Sequence, residues 1–306
     1  MSASPTFGIL IPCKNGAPFL RRLFASTRAQ TRPFDAIWLY DDGSTDGSAE
    51  LAADLGARVL RSEKSIGPAA ARNRLIDNCE CDWLHFHDAD DTMSPNYLER
   101  VASRVRPNLD LVICDMLWID EETGRVDNRW TYDGAALAQN PAAYLIWNTV
   151  GGINGLYRRT ALRDTGGFDE SLHYWEDMEL NIRLTQRKAC AEVVNESLVT
   201  AYRRRTSYSN ANLGGVWRGK LQIMERLLPD ANSHLRNVIA TEAETIADRQ
   251  AALNLWTEVP FALTLARSAG GNPPSTKSLL LRALKWMLPA AWAFRIQYRF
   301  RKSSTK

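Results

Sequence analysis

The sequence has no hydrophobic run long enough to cross a membrane. Hydrophobic residues fill 45% of its 306 positions, yet no stretch reaches the roughly 20 consecutive apolar residues that a spanning helix needs. No basic segment precedes the first apolar run, residues 7–11, and that run is too short for a signal peptide. We therefore expect a cytoplasmic protein with one large domain or one domain and an appendage.

Cysteine is scarce and scattered. An odd number of cysteines cannot all pair in a disulfide framework. One residue separates Cys79 from Cys81, which is neither a zinc-knuckle nor a redox spacing. We expect reduced, mostly buried thiols. The five cysteines are Cys13, Cys79, Cys81, Cys114 and Cys190.

Acidic residues are absent after Glu258. All 35 acidic residues lie up to that position with 29 of the 38 basic ones, a balance of −6, whereas nine basic residues follow it. Within residues 277–306, which we call the basic tail, aliphatic and aromatic residues are interleaved with Arg and Lys. This pattern resembles a helix that lies on an anionic membrane surface. The alternative is a helix that packs on the rest of the protein, whereas nucleic-acid binding is not favoured.

Strand and helix patterns alternate through the first part of the chain, which predicts a mostly parallel sheet with helices on both faces. Ligands of such sheets bind beyond the carboxyl ends of the strands. Further along, the sequence predicts a hairpin over 120–130, a helix over 176–188, helices from Leu213 onward and a linker over 270–275. The predicted strands are 7–11, 36–40, 58–60, 83–87 and 109–116, and the first helices are 19–27, 48–55 and 68–77.

The most informative motif is Asp88-Ala89-Asp90-Asp91, which directly follows a predicted strand. Three neighbouring carboxylates repel one another and are costly to bury without partners. A hard divalent cation with a phosphate on its other side would stabilise them, because magnesium and manganese prefer oxygen ligands. The alternative for an isolated motif of this kind is a solvated acidic loop.

Two further motifs lie near other strand ends. Asp41 and Asp42 end the second predicted strand, where a carboxylate can accept from a base N–H or a ribose hydroxyl. Arg72 follows a run of small residues at a helix start, where it could stack on a base or hold a carboxylate. Turn formation and helix packing are the structural alternatives for these positions.

A fourth motif, 166–170, precedes the pair Glu176-Asp177 at a predicted helix start. The helix dipole favours acidic residues there, and a carboxylate in this position could also be a general base. The preceding pair, Tyr174 and Trp175, could form a wall of an acceptor site.

Together these motifs resemble the motif series of family 2 glycosyltransferases with a GT-A fold. The resemblance covers roughly residues 6–210 and implies a Rossmann-like α/β catalytic domain over 1–210, with a nucleotide-binding half over 1–117 and an acceptor half over 118–210. A helical C-terminal region over 211–306 follows. The motifs occur in the order 11–15, 41–46, 71–73, 88–91 with Pro95, 166–170 and 176–177.

The resemblance also implies a reaction: inverting transfer of a sugar from a nucleotide-sugar, most often a UDP-sugar, to a hydroxyl of a saccharide or glycolipid. In this interpretation Asp41 contacts the uracil, Arg72 lies near the base, and Pro12 and Asn15 lie beneath the nucleotide. The remaining residues implied to bind the nucleotide-sugar are Asp42, Asp88, Ala89 and Asp90.

The same resemblance implies the catalytic machinery. Asp177 matches the general base and Glu176 its supporting neighbour. A divalent cation, Mn²⁺ or Mg²⁺, would be held by Asp90 and Asp88, with Asp91 as a rival ligand. The setting implied is assembly of a surface polysaccharide or glycolipid at the cytoplasmic face of a membrane.

Some positions depart from the family pattern. Cys13 and Lys14 replace a small residue and an aromatic, and Arg205 stands where many relatives carry a histidine after the last strand. Arg205 is therefore a candidate diphosphate contact. His85 and His87 alternate on one strand, which more often indicates a structural pair than a metal-hydrolase site.

A catalytically silent relative that binds nucleotide is the main alternative function, and a nucleotidyltransferase is disfavoured because it would need a glycine-rich basic loop near the N-terminus.

Overall fold

The computed structural model describes residues 4–187, 190–204 and 212–270. The chain divides between Ser207 and Tyr208 into two compact units. The first unit contains the sheet and the acidic motifs, and the second is helical.

The described strands of the first unit form one sheet. The strands are β1 (Phe7–Cys13), β2 (Ala36–Asp42), β3 (Arg58–Ser62), β4 (Trp83–Phe86), β5 (Thr92–Met93), β6 (Leu111–Asp120), β7 (Val126–Trp130), β8 (Gly155–Arg158) and β9 (Ala191–Arg203). Their order in the sheet is β3-β2-β1-β4-β8-β6-β9-β5, with β7 paired to β6. Strands β1 to β4 pair in parallel, as do β6 and β9. The predicted mostly parallel α/β sheet is therefore confirmed.

Antiparallel strands modify this sheet in ways that the sequence pattern only partly predicts. The hairpin predicted over 120–130 is formed by β6 and β7. Strand β8 was not predicted: it lies antiparallel between β4 and β6, and so separates β1 to β4 from β6 and β9. Strand β5 adds a short antiparallel edge to β9.

Helices cover the sheet where the apolar periodicity predicts them. One hydrophobic core joins β1, β4, β6 and β9 to the helices, with Phe7, Leu23, Trp83, Tyr97 and Val112 among its buried members. The helices of the first unit are α1 (Ala17–Arg28), α2 (Ser48–Asp54), α3 (Pro68–Asn78), α4 (Tyr97–Ala102), α5 (Gly134–Gln139), α6 (Pro141–Trp147), α7 (Arg159–Asp164) and α8 (Glu176–Gln186).

Gly16, just before α1, allows the turn after β1 to approach the acidic loop 88–91. A Cβ atom there would lie 2.7 Å from the sulfur of Cys13 and 3.1 Å from the Cβ of Ala89. Both distances are shorter than ordinary van der Waals contact, so any side chain would push the two loops apart. Glycine thus keeps the first and fourth strand ends together.

The second unit contains three helices among its described residues: α9 (Leu213–Leu227), α10 (Ser233–Ala252) and α11 (Val259–Ser268). Their presence confirms the helical C-terminal region. Lys220 of α9 and Glu242 of α10 form a buried ion pair, with 2.7 Å between the ammonium and the carboxylate. The basic tail and most of the predicted linker lie outside the described residues. No helix in the part of the chain that is described is both long and apolar enough to span a bilayer.

Candidate active site

Parallel pairing of β1 with β2 and β4 brings the loops after these strands to one edge of the sheet. Pro12, within β1, is half-buried, whereas Lys14, just after the end of β1, is exposed. The structure therefore brings together most of the residues predicted to bind the donor. Those in or directly after these strands are Pro12, Asn15, Asp41, Asp42, Asp88, Ala89 and Asp90.

Asp42 holds the loop that precedes α3. Its carboxylate accepts hydrogen bonds from the Ser65 hydroxyl at 2.6 Å, the Ile66 N–H at 2.6 Å and the Gly67 N–H at 3.1 Å. Hydrogen bonds to a charged acceptor are stronger than neutral ones. Asp42 therefore shapes the entrance to the helix that carries Arg72, and a direct nucleotide contact by Asp42 remains a prediction.

Asp41 and Asn15 join the first two loops. Asp41 is fully buried, accepts from the N–H of Ser44 at 3.1 Å and lies 3.2 Å from the guanidinium of Arg61. The N–H of Asn15 donates to the Ser44 hydroxyl at 2.8 Å, and its side-chain oxygen accepts from the N–H of Thr45 at 2.9 Å. Both residues thus fix loop geometry beside the proposed nucleotide site.

Arg72 connects the acidic loop to the start of α8. One guanidinium nitrogen donates to Glu176 at 2.6 Å and another to Asp88 at 3.0 Å. The side chain is buried and also lies over the ring of Phe168. Burial opposes its charge, but the neighbouring carboxylates raise the pKa of Arg72 above its usual value. Arg72 is therefore a fixed positive charge between two sets of acids, and its predicted contact with the nucleotide base stays a prediction.

The three carboxylates of the acidic loop have different environments. Asp88 and Asp90 are 44% and 32% exposed at their side chains, and each forms an ion pair, with Arg72 and Arg204 respectively. Asp91 is buried and accepts from the N–H of Tyr202 at 3.0 Å. Burial, and then the charge of Asp88, raise the pKa of Asp91 well above its usual value. Asp88 and Asp90 are thus the accessible members of the loop.

Among the described residues, no group of three or more His, Cys, Asp or Glu side chains is arranged to hold a metal ion. Magnesium and manganese sites often use only one or two protein carboxylates, with substrate phosphates and water as the other ligands. The two accessible carboxylates, Asp88 and Asp90, fit a site of that kind, because both present oxygen donors at the same loop.

His85 and His87 form a buried pair beneath the acidic loop. Their ring nitrogens are 3.0 Å apart, and the hydroxyl of Tyr97 lies 2.7 Å from His85. Burial lowers the pKa of His87 to about 3 and that of His85 well below its usual value. Uncharged, fully buried imidazoles that contact each other agree with the structural interpretation.

Asp177 lies in the first turn of α8, next to Glu176. Burial, followed by the negative charge of Glu176, raises the pKa of Asp177 to about 7, although Arg72 acts in the opposite direction. The backbone at Gly151 lies alongside, since a Cβ there would be 3.7 Å from a carboxylate oxygen of Asp177. A carboxylate that changes charge near neutral pH has the acid–base strength that general base catalysis requires.

The residue before α8, Trp175, has a positive φ of 66°. This conformation is uncommon for a bulky side chain and concentrates at functional sites. Trp175 and Tyr174 are both half-buried at the start of the helix that carries Asp177. Their predicted role as an acceptor wall stays a prediction.

The turn over 166–168 supports the same helix region. The side-chain oxygen of Asn73 accepts from the N–H of Phe168 at 2.8 Å, and its amide donates to the Phe168 carbonyl at 2.9 Å. A Cβ on Gly167, whose φ is +73°, would lie 2.4 Å from the Asn73 oxygen. Glycine is therefore needed at this position for α3 to hold the turn.

Two arginines without a predicted role also reach the acidic loop. Arg22 donates to the carbonyl of Asp90 at 2.6 Å and to Glu121 at 2.7 Å, and Arg204 pairs with the Asp90 carboxylate. The run of basic residues at the end of β9 is a sequence signal for Arg204, whereas Arg22 lies in α1. Arg205, the predicted diphosphate contact, lies outside the described residues.

Comparisons with known proteins agree with this geometry. The family model described as "Glycosyl transferase family 2" matches residues 8–166. The chain is 32% identical over 189 residues to a pre-mycofactocin glycosyltransferase of Mycobacterium tuberculosis, which covers 59% of this chain but only 39% of the relative. It is 28% identical to the succinoglycan biosynthesis protein ExoU of Rhizobium meliloti, covering 69% and 66% of the two chains.

Solved structures show the same fold at low identity. Staphylococcus aureus TarS 1–349 in complex with UDP-GlcNAc matches with a TM-score of 0.65 and 18% identity, covering 86% of this chain and 81% of that one. A mannosyltransferase from Pyrobaculum calidifontis, in complex with GDP-Man and Mn²⁺, matches with a TM-score of 0.59 and 18% identity, covering 99% and 84%. The family model spans more than half of the sequence, and its match includes the first strands and the acidic loop. The chain belongs to glycosyl transferase family 2.

Proposed function

We propose that this chain transfers a sugar from a nucleotide-sugar, with UDP as the nucleotide, to a hydroxyl group of a saccharide or glycolipid, with inversion at the anomeric carbon. The observation that carries the proposal is the position of Asp177. Asp177 is a half-buried carboxylate whose pKa is raised to about 7, and the charges of Glu176 and Asp88 contribute to that rise. A base and a donor site are thus side by side, joined by Arg72.

The reaction follows from these positions. Asp177 accepts the proton of the acceptor hydroxyl while the hydroxyl oxygen forms a bond to the anomeric carbon of the donor. The bond from that carbon to the nucleoside diphosphate breaks on the opposite face, and the diphosphate leaves with the bonding electrons. One displacement inverts the configuration. Glu176 and Arg72 pair with each other beside the base, where the charge of Glu176 raises the pKa of Asp177 and that of Arg72 lowers it.

Asp88 and Asp90 are the residues that would hold a divalent cation on the donor side. When bound, the cation neutralises charge on the leaving diphosphate. One structural neighbour was solved with Mn²⁺, which supports this part of the proposal. Asp91 is a weaker candidate ligand because its buried carboxylate already accepts from the backbone of Tyr202.

The proposed setting is assembly of a surface polysaccharide or glycolipid. Relatives named for succinoglycan biosynthesis and for minor teichoic acid biosynthesis support it. The chain spans only 39% to 48% of the length of the first curated relatives. The substrates of those relatives are therefore assigned to this chain only as part of this proposal. We also propose that the basic tail attaches the protein to the cytoplasmic face of an anionic membrane.

The donor site is tested by thermal stability against UDP, GDP, ADP and CDP, each with and without Mn²⁺. A ligand that binds only the folded state raises the melting temperature. We expect a selective rise with UDP that increases with Mn²⁺. No rise with any nucleotide in a folded sample would favour the catalytically silent alternative or a different function.

The base is tested by Asp177→Asn, which keeps the shape of the side chain but cannot take a proton. We expect loss of transfer while UDP binding stays close to that of the wild type. Asp169→Asn is a matched control, because Asp169 precedes α8 and its carboxylate accepts from the N–H and the hydroxyl of Ser171. Full transfer by Asp177→Asn would mean that another group is the base.

A further inference from the structure

Two arginines from distant parts of the chain meet at Asp90. Arg22 of α1 donates to the Asp90 carbonyl at 2.6 Å and to one carboxylate oxygen of Glu121 at 2.7 Å. Arg204, at the end of β9, pairs with the Asp90 carboxylate and lies 3.2 Å from the other oxygen of Glu121. We call these four side chains the arginine cluster.

Aromatic rings fix both guanidinium groups of the arginine cluster. The Arg204 guanidinium lies 4.0 Å from the centre of the Phe19 ring, and that of Arg22 lies 3.9 Å from the centre of the Tyr202 ring. Side-chain exposure is only 18% for Arg204 and 34% for Arg22. Stacked guanidinium groups of this kind are well suited to bind phosphate, because little freedom is lost when a ligand arrives.

The charges of the arginine cluster are balanced only while Asp90 is part of it. Both arginines contact Asp90 and Glu121, so two positive charges lie beside two carboxylates. Arg22 keeps two partners, Glu121 and the Asp90 carbonyl, whatever the Asp90 side chain does. Arg204 would instead lose its short ion pair if that carboxylate turned away, and would keep its 3.2 Å contact with Glu121. The place beside Arg204 suits a second anion, and the Asp90 carboxylate occupies it in this structure.

We propose that Arg204 binds the leaving diphosphate, and that the Asp90 carboxylate occupies the place of a phosphate oxygen until the donor arrives. This inference rests on the proposed function, because it identifies the group that receives the diphosphate in that site. A carboxylate and a phosphate offer the same paired oxygen atoms to a guanidinium. The exchange frees Asp90, an oxygen donor, at the moment when diphosphate and cation enter. It also assigns a diphosphate contact to Arg204.

The experiment compares binding of UDP and of uridine, both measured by calorimetry in EDTA so that no divalent cation contributes. Arg204→Gln removes the charge. We expect it to weaken UDP binding by about tenfold or more, since a hydrogen bond to a charged group contributes roughly 1.5–3 kcal/mol. Uridine lacks the diphosphate, so its affinity should be unchanged, and this also shows that the variant is folded.

Arg203→Gln is the matched control. Arg203 is adjacent in sequence and has the same charge, but its side chain pairs with Asp127 of β7 and lies over Trp118. The control should leave both affinities unchanged. Arg204→Lys should recover part of the UDP affinity, because it restores the charge without the paired donors.

Each remaining outcome contradicts the proposal in a distinct way. Equal loss of UDP and uridine binding in Arg204→Gln, or no loss of either, would overturn the assignment while leaving the donor site intact. The same holds if Arg203→Gln weakens UDP binding as much as Arg204→Gln does. If the wild type binds neither UDP nor uridine, with or without Mn²⁺, the proposed function fails and the inference fails with it.

Discussion

Replacement of Arg72 by Gln should both destabilise the protein and raise the pKa of Asp177, the proposed base. Arg72 donates to Glu176 at 2.6 Å in a buried environment, so its loss leaves Glu176 without its ion-pair partner. Breaking a buried pair costs about 3–5 kcal/mol. The pairing with Asp88 adds little, since that carboxylate is 44% exposed. With about 2–4 °C per kcal/mol for a domain of this size, the melting temperature should fall by roughly 6 °C or more.

The second effect of this variant is on the pH dependence of transfer. Asp177 must be deprotonated to act as a base, so kcat/KM should rise with pH through its pKa, near 7, and then level off. The charge of Arg72 lowers that pKa, so Arg72→Gln should move the rise to higher pH by about one unit or more. The assay is kcat/KM between pH 5 and pH 9 for wild type and variant, with buffers chosen to bracket a pKa near 7.

The control for both effects is Arg100→Gln. Arg100 lies in α4 and pairs with Glu196 at the surface. Its replacement should change neither the melting temperature nor the pH profile. A rise in kcat/KM that stays at the same pH in Arg72→Gln, or moves to lower pH, would refute the electrostatic link between Arg72 and Asp177.

Three further predictions concern stability. Because burial raises the pKa of Asp177, the wild type gains stability when this group is protonated and loses it as the pH rises through about 7. Asp177→Asn should therefore melt a few degrees higher than the wild type at alkaline pH but not at acidic pH. Equal differences in melting temperature at both pH values would contradict this effect of burial on the carboxylate. Asp42→Asn should lower the free energy of unfolding, measured in urea, by about 1.5–3 kcal/mol, because the loop before α3 loses a charged acceptor of its hydrogen bonds. The same variant should weaken UDP binding. An unchanged urea midpoint would exclude a structural role for the Asp42 carboxylate. Gly167→Ala should destabilise more than Gly166→Ala, because both have positive φ but only a Cβ on Gly167 would collide with Asn73, and equal urea midpoints would argue against this packing.

The sequence predicts where the acidic residues lie better than it predicts what they contact. The loop 88–91 follows a short buried strand, and parallel strands bring such ends to one edge, so its place in the site follows from hydrophobic periodicity. Asp42 also ends a strand, yet its carboxylate turns toward the backbone before α3. Which donors surround a carboxylate depends on loop conformations that form only in the folded chain.

Strand β8 shows a second limit. Gly155–Arg158 is only four residues long, and its apolar content does not distinguish a strand from a loop. Its antiparallel position is determined by β4 and β6, which pair with it from both sides. Arg22 and Arg204 were missed for the same reason: each is an ordinary basic residue in sequence and acquires a role only beside Asp90.

The contacts that close the candidate site join residues far apart in the chain. Arg72 and Glu176 are separated by 104 positions, Arg22 and Glu121 by 99, and Asp91 and Tyr202 by 111. Contacts of long sequence separation form slowly, because large loops must close before the contact stabilises them. During synthesis on the ribosome, the chain cannot complete this site until β9 has emerged. Recovery of UDP binding should therefore follow the bulk of helix formation in refolding, and ligand affinity would report the last step of folding of the first unit.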